Sequence, residues 1–215
     1  MKVGIIGSGV VGQVLASAFL EEGNDVMLGT RNTSKDEVVK WQQKNQKGQL
    51  GSFEDTAKFG EVLVLAINGM VASEVIDMAG KNNFSGKVVI DATNPISHDA
   101  PVNGVLKFFT SLDDSLMERL QKQIPEAKLV KAFNSVGNTF MYKPDFNGQA
   151  PTMFICGNDA DAKNTVSAIL DDFGFEVEDM GAVEAARAIE PLCILWCIPG
   201  FIRNQWTHAF KLLKK

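Results

Sequence analysis

The glycine-rich segment GSGVVG, Gly7–Gly12, constrains the fold of this chain more than any other feature. It directly follows an apolar run and precedes an amphipathic stretch that carries Leu15, Ala18 and Phe19. A GxGxxG segment between a strand and a helix is typical of a dinucleotide-binding βαβ unit, where N–H groups at the helix N-terminus face phosphate. We expect Gly7 to permit the tight turn and Gly9 to let a pyrophosphate approach the backbone. Gly12 should let the helix pack close to the strand. A glycine-rich turn without a ligand is the alternative.

Short apolar runs alternate with helical patterns along the rest of the chain. Several runs, such as EVLVLAI and GKVVIDA, are apolar throughout, which is typical of strands covered on both faces of a parallel sheet. This alternation predicts an α/β fold, a doubly wound and mostly parallel sheet with right-handed crossovers. The predicted strands are Val3–Ile6, Asp25–Leu28, Val62–Ile67, Lys87–Ile90, Lys128–Phe133, Thr152–Cys156 and Phe175–Asp179. The predicted helices are Val11–Glu22, Lys35–Gln46, Val71–Lys81, Leu112–Gln123 and Ala160–Phe173.

The pattern changes towards the C-terminus. From Val183 onwards the residues predict helix, interrupted at Pro191 and at Pro199–Gly200. We therefore divide the chain into an α/β domain, residues 1–180, and a C-terminal helical region, residues 181–215. Such a region packs against the ligand edge of the sheet or against a partner subunit, and the sequence leaves both open.

Charged and sulfur-containing side chains of this helical region fit a structural role. Glu184, Arg187 and Glu190 are spaced for i, i+3 pairing along one helix face. Cys193 and Cys197 stand one helical turn apart, and we interpret them as small apolar groups of the core, with a redox pair as the alternative. The chain has three cysteines without the spacing of metal ligands, so we expect reduced thiols and no metal site.

Composition excludes several classes of function. The formal net charge of -5 argues against a general affinity for nucleic acid, which requires a basic surface. The N-terminal residues enter a strand directly and do not resemble a signal peptide. The most apolar run, PLCILWCIPGFI, is shorter than the roughly 20 residues of a membrane span. We expect a cytoplasmic protein that binds neither nucleic acid nor membrane.

The segment LGTRNTSK, which closes the second predicted strand, indicates which dinucleotide is bound. NAD-specific sites place a carboxylate about 20 residues after the glycines, where it binds the adenosine ribose. Here Thr30 is neutral and Arg31 carries a planar cation suited to phosphate oxygens. Lys35 adds a second positive charge, and Asn32 with its neighbours Thr33 and Ser34 adds donors and a helix N-cap. These residues favour NADP(H), and a solvated loop is the alternative.

Three further strand ends should face the dinucleotide, because ligands of an open parallel sheet lie beyond the carboxyl ends of its strands. LAIN places Ile67 and Asn68 near the ribose or the diphosphate. TNPIS brings Asn94 and Pro95 towards the nicotinamide, although a purely structural turn fits equally well. KAFNS offers Ala132 with Phe133 and Asn134, and we interpret the aromatic ring as core.

The order GSGVVG, GTR, LAI, TNP, KAFN and a late GND resembles the NADP-dependent coenzyme F420 reductase family. It is also similar to the oxidoreductase domains of the transmembrane ferric reductases known as STEAPs. The resemblance covers almost the whole chain and is most specific in its nucleotide half. It implies a Rossmann-type domain with a short helical C-terminal part, and a homodimer through the C-terminal helices. The activity it implies is hydride transfer between NADP(H) and a flavin or deazaflavin.

Matching motifs carry the family's site residues onto this sequence. They assign the diphosphate to Ser8, Gly9, Val10 and Val11, the 2′-phosphate to Thr30, Arg31 and Lys35, and the nicotinamide to Asn94 and Ala132. One departure concerns the hydride acceptor, because Asn134 stands where deazaflavin-dependent enzymes tend to have histidine.

No residue stands out as a general acid or base, which reduction of a carbonyl or imine requires. His98 follows the TNPIS turn and could reach the site, whereas His208 is expected to be solvated in the last helix. Tyr142, the only tyrosine, has no lysine four residues further on. A flavin-type acceptor needs only stacked rings and the exclusion of water, so the catalytic residues stay unassigned.

We therefore expect an NADP(H)-dependent oxidoreductase with a small-molecule hydride acceptor, which is a flavin or a deazaflavin such as F420. Two alternatives are a small NADPH-dependent carbonyl or imine reductase that uses His98, and a non-catalytic NADP(H)-binding module that senses redox state. The sequence does not tell which acceptor is used, in which direction hydride moves or how many subunits assemble.

Overall fold

The computed structural model describes residues 1–215 and confirms the predicted α/β fold. Six parallel strands form the main sheet in the order β3-β2-β1-β4-β5-β6, and two more form a parallel pair, β7-β8. The strands are β1 (Lys2–Ile6), β2 (Asp25–Gly29), β3 (Gln49–Gly51), β4 (Val62–Leu65), β5 (Val88–Asp91), β6 (Lys128–Lys131), β7 (Thr152–Ile155) and β8 (Glu176–Asp179). The helices are α1 (Val10–Glu21), α2 (Asp36–Lys44), α3 (Phe53–Phe59), α4 (Ala72–Ala79), α5 (Leu116–Gln123), α6 (Ala160–Asp172), α7 (Ala186–Ile189) and α8 (Leu192–Arg203).

The strand order reverses at β1, which pairs with β2 on one side and with β4 on the other. Ile6 lies opposite Gly29 of β2 and Leu65 of β4, so the three strands end level with one another. Asp91 of β5 lies opposite Leu65 and also opposite Lys131 of β6, which extends the same edge. We call this line of strand ends the carboxyl edge. A crevice at such a reversal is where doubly wound sheets bind their ligands.

Two apolar cores cover the two faces of the sheet. One packs Phe19 of α1 and Phe173 of α6 against β1 and β4, and the other contains Ile76 of α4 and Leu120 of α5. All four residues of β4 are buried, which explains why that run is apolar throughout rather than alternating. Each buried Leu, Ile or Phe side chain contributes about 1.5–3 kcal/mol relative to an exposed one, so these cores fix the strand ends firmly.

All seven predicted strands are present, but one strand and one helix were missed. β3 has only three residues, too few for a periodic pattern, and α3 follows it after a single residue. Ser52 caps α3 by accepting a hydrogen bond from the backbone N–H of Asp55. The predicted start of α5 at Leu112 was wrong, because a capping box formed by Ser115 and Glu118 starts the helix at Leu116.

The C-terminal region is helical only in part. A turn of 3₁₀-helix and α7 are followed by α8, with the predicted interruption at Pro191, but Pro199 lies inside α8 without ending it. The expectation of helix to the C-terminus was wrong beyond Asn204, which adopts a left-handed conformation with φ of 53°. The chain then continues without regular secondary structure and contacts the start of β7, where the N–H of Thr152 donates to the carbonyl of Phe210 at 2.9 Å. A helical periodicity cannot reveal this packing, because it depends on β7.

One helical stretch, Val183–Arg203, has the length and hydropathy of a membrane span, and a third of its most apolar window is buried in the fold. A single stretch of this kind is weak evidence of a span, because the core helices of folded domains have the same composition.

Candidate functional site

The glycine-rich segment forms a tight turn between β1 and α1. Gly7 has a φ of 122°, a conformation that residues with a Cβ rarely adopt. A Cβ on Gly12 would overlap the carbonyl oxygen of Gly7, so only glycine allows α1 to pack this closely. A Cβ on Gly9, by contrast, would meet no atom within 4 Å. The space beside Gly9 is open, as the approach of a diphosphate requires.

The N-terminus of α1 is available to an anion. Gly9 is its N-cap residue, and no side chain caps the first turn. The helix begins with Val10, which is exposed, and the amide of Gln13 holds the loop by donating to the carbonyl of Ser8 at 2.9 Å. Free N–H groups and the positive end of the helix dipole bind phosphate. The predicted contacts of Ser8, Gly9, Val10 and Val11 with the diphosphate stay predictions.

Thr30 links the end of β2 to the glycine turn. Its hydroxyl oxygen accepts a hydrogen bond from Ser8 Oγ at 2.9 Å, and its N–H donates to the carbonyl of Gly51 in β3. The side chain is buried, so Thr30 contributes mainly to the floor of the site. The strand that sequence patterns missed is thus the one that positions this residue.

Arg31 and Lys35 are exposed beside this floor. Arg31 forms no hydrogen bond or ion pair within the chain, and Lys35 lies 3.9 Å from Glu37, a long and solvated pair. The guanidinium is therefore free to bind an anion. The predicted side-chain N-cap of α2 by Asn32, Thr33 or Ser34 was wrong, since Lys35 occupies the N-cap position and no side chain accepts from the helix. The Asn32 side chain accepts instead from the N–H of Ser34.

The end of β4 lies against the glycine turn. A Cβ on Gly7 would approach the Ile67 side chain to 2.7 Å, which places Ile67 beside the phosphate loop as expected. Asn68 is exposed and accepts a hydrogen bond from the N–H of Met70, so it starts the short 3₁₀ turn before α4. A Cβ on Gly69 would overlap the Asn94 carbonyl, so this turn packs directly on the end of β5.

The ends of β5 and β6 meet through two asparagines. Asn94 Nδ2 donates to the carbonyl of Asn134 at 2.8 Å, and Asn134 Nδ2 donates to the carbonyl of Ile189, the last residue of α7, at 2.9 Å. Pro95 is buried behind them. Ala132 is fully buried and offers no surface in this conformation, so its predicted place beside the nicotinamide stays a prediction.

A buried ion network lies beneath these asparagines. Lys131 Nζ lies 2.7 Å from Asp91 Oδ2 and 2.9 Å from Glu190 Oε1, and it donates to the carbonyl of Thr93 at 3.0 Å. Each of these three charged side chains exposes at most 1 % of its surface to solvent. Burial alone would lower the pKa of Lys131, but the charges of Asp91 and Glu190 outweigh it, and the pKa is raised. Lys131 therefore stays charged at neutral pH.

The expected i, i+3 pairing of Glu184, Arg187 and Glu190 was wrong. Glu190 turns inward, where its carboxylate also accepts from the first two N–H groups of α5. Arg187 instead reaches across to Glu118 of α5 in a two-point ion pair with an Nε–Oε2 distance of 2.9 Å. A signal for the network was present in the sequence. Asp91 and Lys131 each end an apolar run, where a charge is buried only if it is paired.

The remaining candidate side chains lie away from the carboxyl edge or are occupied. His98 is exposed in the loop after β5. His208 is not in a helix, because the last helix ends at Arg203, and its ring stacks on Trp196 with centroids 5.0 Å apart. The Tyr142 hydroxyl donates to Glu22 at 2.8 Å. Phe133 packs against Phe173 in the core, as expected.

Comparisons with known proteins agree with this geometry. Residues 2–95 match the family model "NADP oxidoreductase coenzyme F420-dependent". The chain is 28 % identical over 205 residues to the metalloreductase STEAP3 of Rattus norvegicus, covering 94 % of this chain and 39 % of that protein. It thus spans about two fifths of the length of the curated relatives it matches.

Solved structures extend the likeness to the whole chain. A provisionally assigned F420-dependent NADP reductase from Arthrobacter sp. FB24 is 30 % identical, with a TM-score of 0.93 and 100 % of both chains covered. An imine reductase from Streptomyces aurantiacus shares the fold alone, at 16 % identity and a TM-score of 0.66, with 94 % of this chain and 63 % of that one covered. The family match in the nucleotide half and the full-length likeness lead to one conclusion: the chain is an NADP-dependent oxidoreductase and belongs to the coenzyme F420-dependent NADP oxidoreductase family.

Proposed function

We propose that the protein transfers hydride between NADP(H) and a flavin or deazaflavin acceptor of the F420 type. The observation that carries the cofactor half is the free Arg31 guanidinium at the end of β2, where NAD-specific sites place a carboxylate. A carboxylate would repel a 2′-phosphate, whereas a planar cation binds its oxygens at two points.

The residues at the carboxyl edge fit this cofactor. The open space at Gly9 and the uncapped N-terminus of α1 suit the diphosphate, with Arg31 and Lys35 at the adenosine end. Asn94 lies at the end of β5, beyond the glycine turn, where the nicotinamide end of the cofactor would lie. When bound, NADP(H) supplies or accepts the hydride. The protein holds the rings in contact and excludes water.

The proposed class of acceptor is supported by the ionisable groups near the site, none of which is positioned as a general acid or base. Lys131 is fully buried between Asp91 and Glu190 and donates to the carbonyl of Thr93, so its ammonium is not exposed to a substrate. His98 is exposed and makes no hydrogen bond that would orient its ring. Ring-to-ring hydride transfer does not require a positioned acid or base, so a flavin-type acceptor fits better than a carbonyl or an imine.

A screen of acceptors with NADPH tests this function. Absorbance at the NADPH band is followed with F420, FMN, FAD and riboflavin, each at matched concentration, and NADH replaces NADPH as the control donor. Reduction of at least one of these rings, with NADPH preferred, is the expected result. Binding of NADPH without reduction of any of the four would refute the proposed acceptor class.

We also propose that two copies pair through α8. Leu195, Phe201 and Ile202 on this helix are about half exposed, and Val102 and Val105 form an exposed apolar loop tip close to Ile202. Isolated exposed apolar residues are ordinary, but such a contiguous set favours an interface. Sedimentation should give a dimer for the wild type and a monomer for Phe201→Glu. A wild-type monomer at micromolar concentration would disprove this pairing.

We propose a cytoplasmic location and a functional division at residue 180. The three cysteines form no disulfide, which suits a reducing compartment. The proposed division is supported by the change from strand–helix alternation to helix after β8. Limited proteolysis that cuts first between β8 and α7 would support the division, and cleavage elsewhere would argue against it.

A further inference from the structure

Besides Asp91 Oδ2, which lies 2.7 Å from Lys131 Nζ in an ion pair, two side-chain oxygens near the ends of β5 and β6 lack hydrogen-bond partners. They are Asn94 Oδ1 and Asn134 Oδ1, and both are shielded from solvent. Asn134 as a whole is only 3 % exposed. Buried polar atoms in folded proteins are almost always paired, so two orphan acceptors on neighbouring strand ends need a physical reason.

An exchange of the side-chain oxygen and nitrogen positions in these asparagines does not explain why the oxygens lack partners. The Nδ2 atom of each asparagine donates to a backbone carbonyl, Asn94 to Asn134 and Asn134 to Ile189. A carbonyl can only accept, so exchanging oxygen and nitrogen would bring two acceptors together. Leaving a buried acceptor unpaired costs about 1–3 kcal/mol, which the fold tolerates here twice within one small cluster.

The cluster is held by the ion network beneath it. Glu190 follows Ile189, the residue that orients Asn134, and Lys131 connects Glu190 with the carbonyl of Thr93, the residue before Asn94. The buried ammonium therefore contacts the neighbours in sequence of Asn94 and of Ile189, and so links the segments that orient both amides. Preorganised groups of this kind are typical of binding sites, because orienting them later would consume binding energy.

We infer that Asn134, together with Asn94, is a specificity-determining residue that accepts hydrogen bonds from an N–H group on a planar heterocycle. This inference rests on the proposed function. An amide NH2 has two hydrogens, one for each oxygen, and a ring imide has one. The donor is thus the carboxamide of the nicotinamide or the ring N–H of the acceptor. Since solvent does not reach the oxygens, binding of the donor requires that the loops after β5 and β6, which carry Asn94 and Asn134, move apart.

The first experiment compares NADP⁺ with its 3-acetylpyridine analogue, in which a methyl group replaces the NH2. Calorimetry on the wild type should show a preference of about tenfold or more for NADP⁺, as expected for one to two neutral hydrogen bonds. Asn134→Leu should reduce this preference to below about threefold. Asn24→Leu is the matched control, because Asn24 lies at the opposite edge with both amide atoms already bonded.

The second arm separates the two possible donors. Riboflavin and N3-methylriboflavin are compared as acceptors, with KM measured for the wild type and for Asn134→Leu. If only the acceptor preference is lost in the variant, the ring N–H is the donor; if only the cofactor preference is lost, the carboxamide is. If both preferences stay unchanged, the inference is overturned.

A third measurement uses the wild type alone, in case the variant fails to fold. Side-chain carbonyl carbons are labelled selectively in asparagine, and their NMR shifts are followed as NADP⁺ and then riboflavin are added. A downfield shift of the Asn134 carbonyl supports the inference, and an unchanged shift at saturation refutes it. Failure of NADP⁺ to bind at all would instead refute the proposed function, so the two failures are distinguishable.

Discussion

Replacing Lys131 by methionine should destabilise the protein far more than removing an ordinary surface charge. The ammonium is fully buried and lies 2.7 Å from Asp91 Oδ2 and 2.9 Å from Glu190 Oε1. Its removal leaves two buried carboxylates without a cation between them. Breaking a buried pair on one side costs about 3–5 kcal/mol. For a chain of this length we expect the melting temperature to fall by about 6–20 °C, at about 2–4 °C per kcal/mol.

The dependence on pH identifies the cause. In the wild type the pKa of Lys131 is raised, so its contribution is complete below the unfolded pKa of about 10.4 and is lost only in strong alkali. Wild-type stabilisation by this group is therefore constant between about pH 5 and 8. In Lys131→Met the two buried carboxylates have no cation between them, so folding favours the binding of a proton by one of them. The folded variant then binds more protons than the unfolded chain, and its stability rises as the pH falls.

Urea denaturation at pH 7.5 and pH 5 measures both effects. Lys81→Met is the matched control, because Lys81 pairs with Asp77 at 3.1 Å with both side chains about half exposed, and it should lose at most about 0.5 kcal/mol. The double variant Lys131→Met with Glu190→Gln should recover part of the loss. A single-variant loss below about 1 kcal/mol, or one that does not shrink at pH 5, would refute the buried network.

Three further predictions concern the cofactor site and the C-terminal helices. Arg31→Ala should weaken NADPH about 10- to 100-fold by calorimetry and leave NADH unchanged, because a charge-assisted hydrogen bond contributes about 1.5–3 kcal/mol. Gly9→Ala should keep the melting temperature and weaken NADPH, whereas Gly12→Ala should lower both, because its Cβ has no space. Glu118→Gln should lose about 1 kcal/mol at pH 7 in urea denaturation, since its pair with Arg187 is partly exposed.

The pH profile and controls complete these tests. Arg187 lowers the pKa of Glu118, so its contribution is present above the unfolded pKa of about 4.3 and disappears as the pH falls through the folded value. The difference between wild type and Glu118→Gln should shrink progressively as the pH falls below the unfolded pKa of about 4.3. Glu54→Gln, which breaks an exposed pair, and Lys47→Ala, which removes an exposed charge, should have little effect. Equal losses of NADPH and NADH affinity in Arg31→Ala would show that Arg31 does not bind the 2′-phosphate.

Local sequence determined most of the sheet and the glycine turn. A continuous apolar run identified the central strand β4, because a strand covered on both faces is apolar at each position. The glycine spacing located the phosphate loop, because the contact between Gly12 and Gly7 is formed within one short segment. Thr30 and Arg31 were also placed correctly at the end of β2, since their positions depend only on the length of α1 and its loops.

Tertiary structure alone decided how distant segments meet. Glu190 pairs with Lys131 and with the N-terminus of α5 because α7 docks on the ends of β5 and β6, whereas helical spacing alone predicted a pair with its own neighbours. The segment after Asn204 is not helical, and it contacts the start of β7 through the hydrogen bond from Thr152 N–H to the carbonyl of Phe210. The free oxygens of Asn94 and Asn134 are likewise set by backbone carbonyls from other elements. Periodicity records what each segment buries, but it does not record which segment covers it.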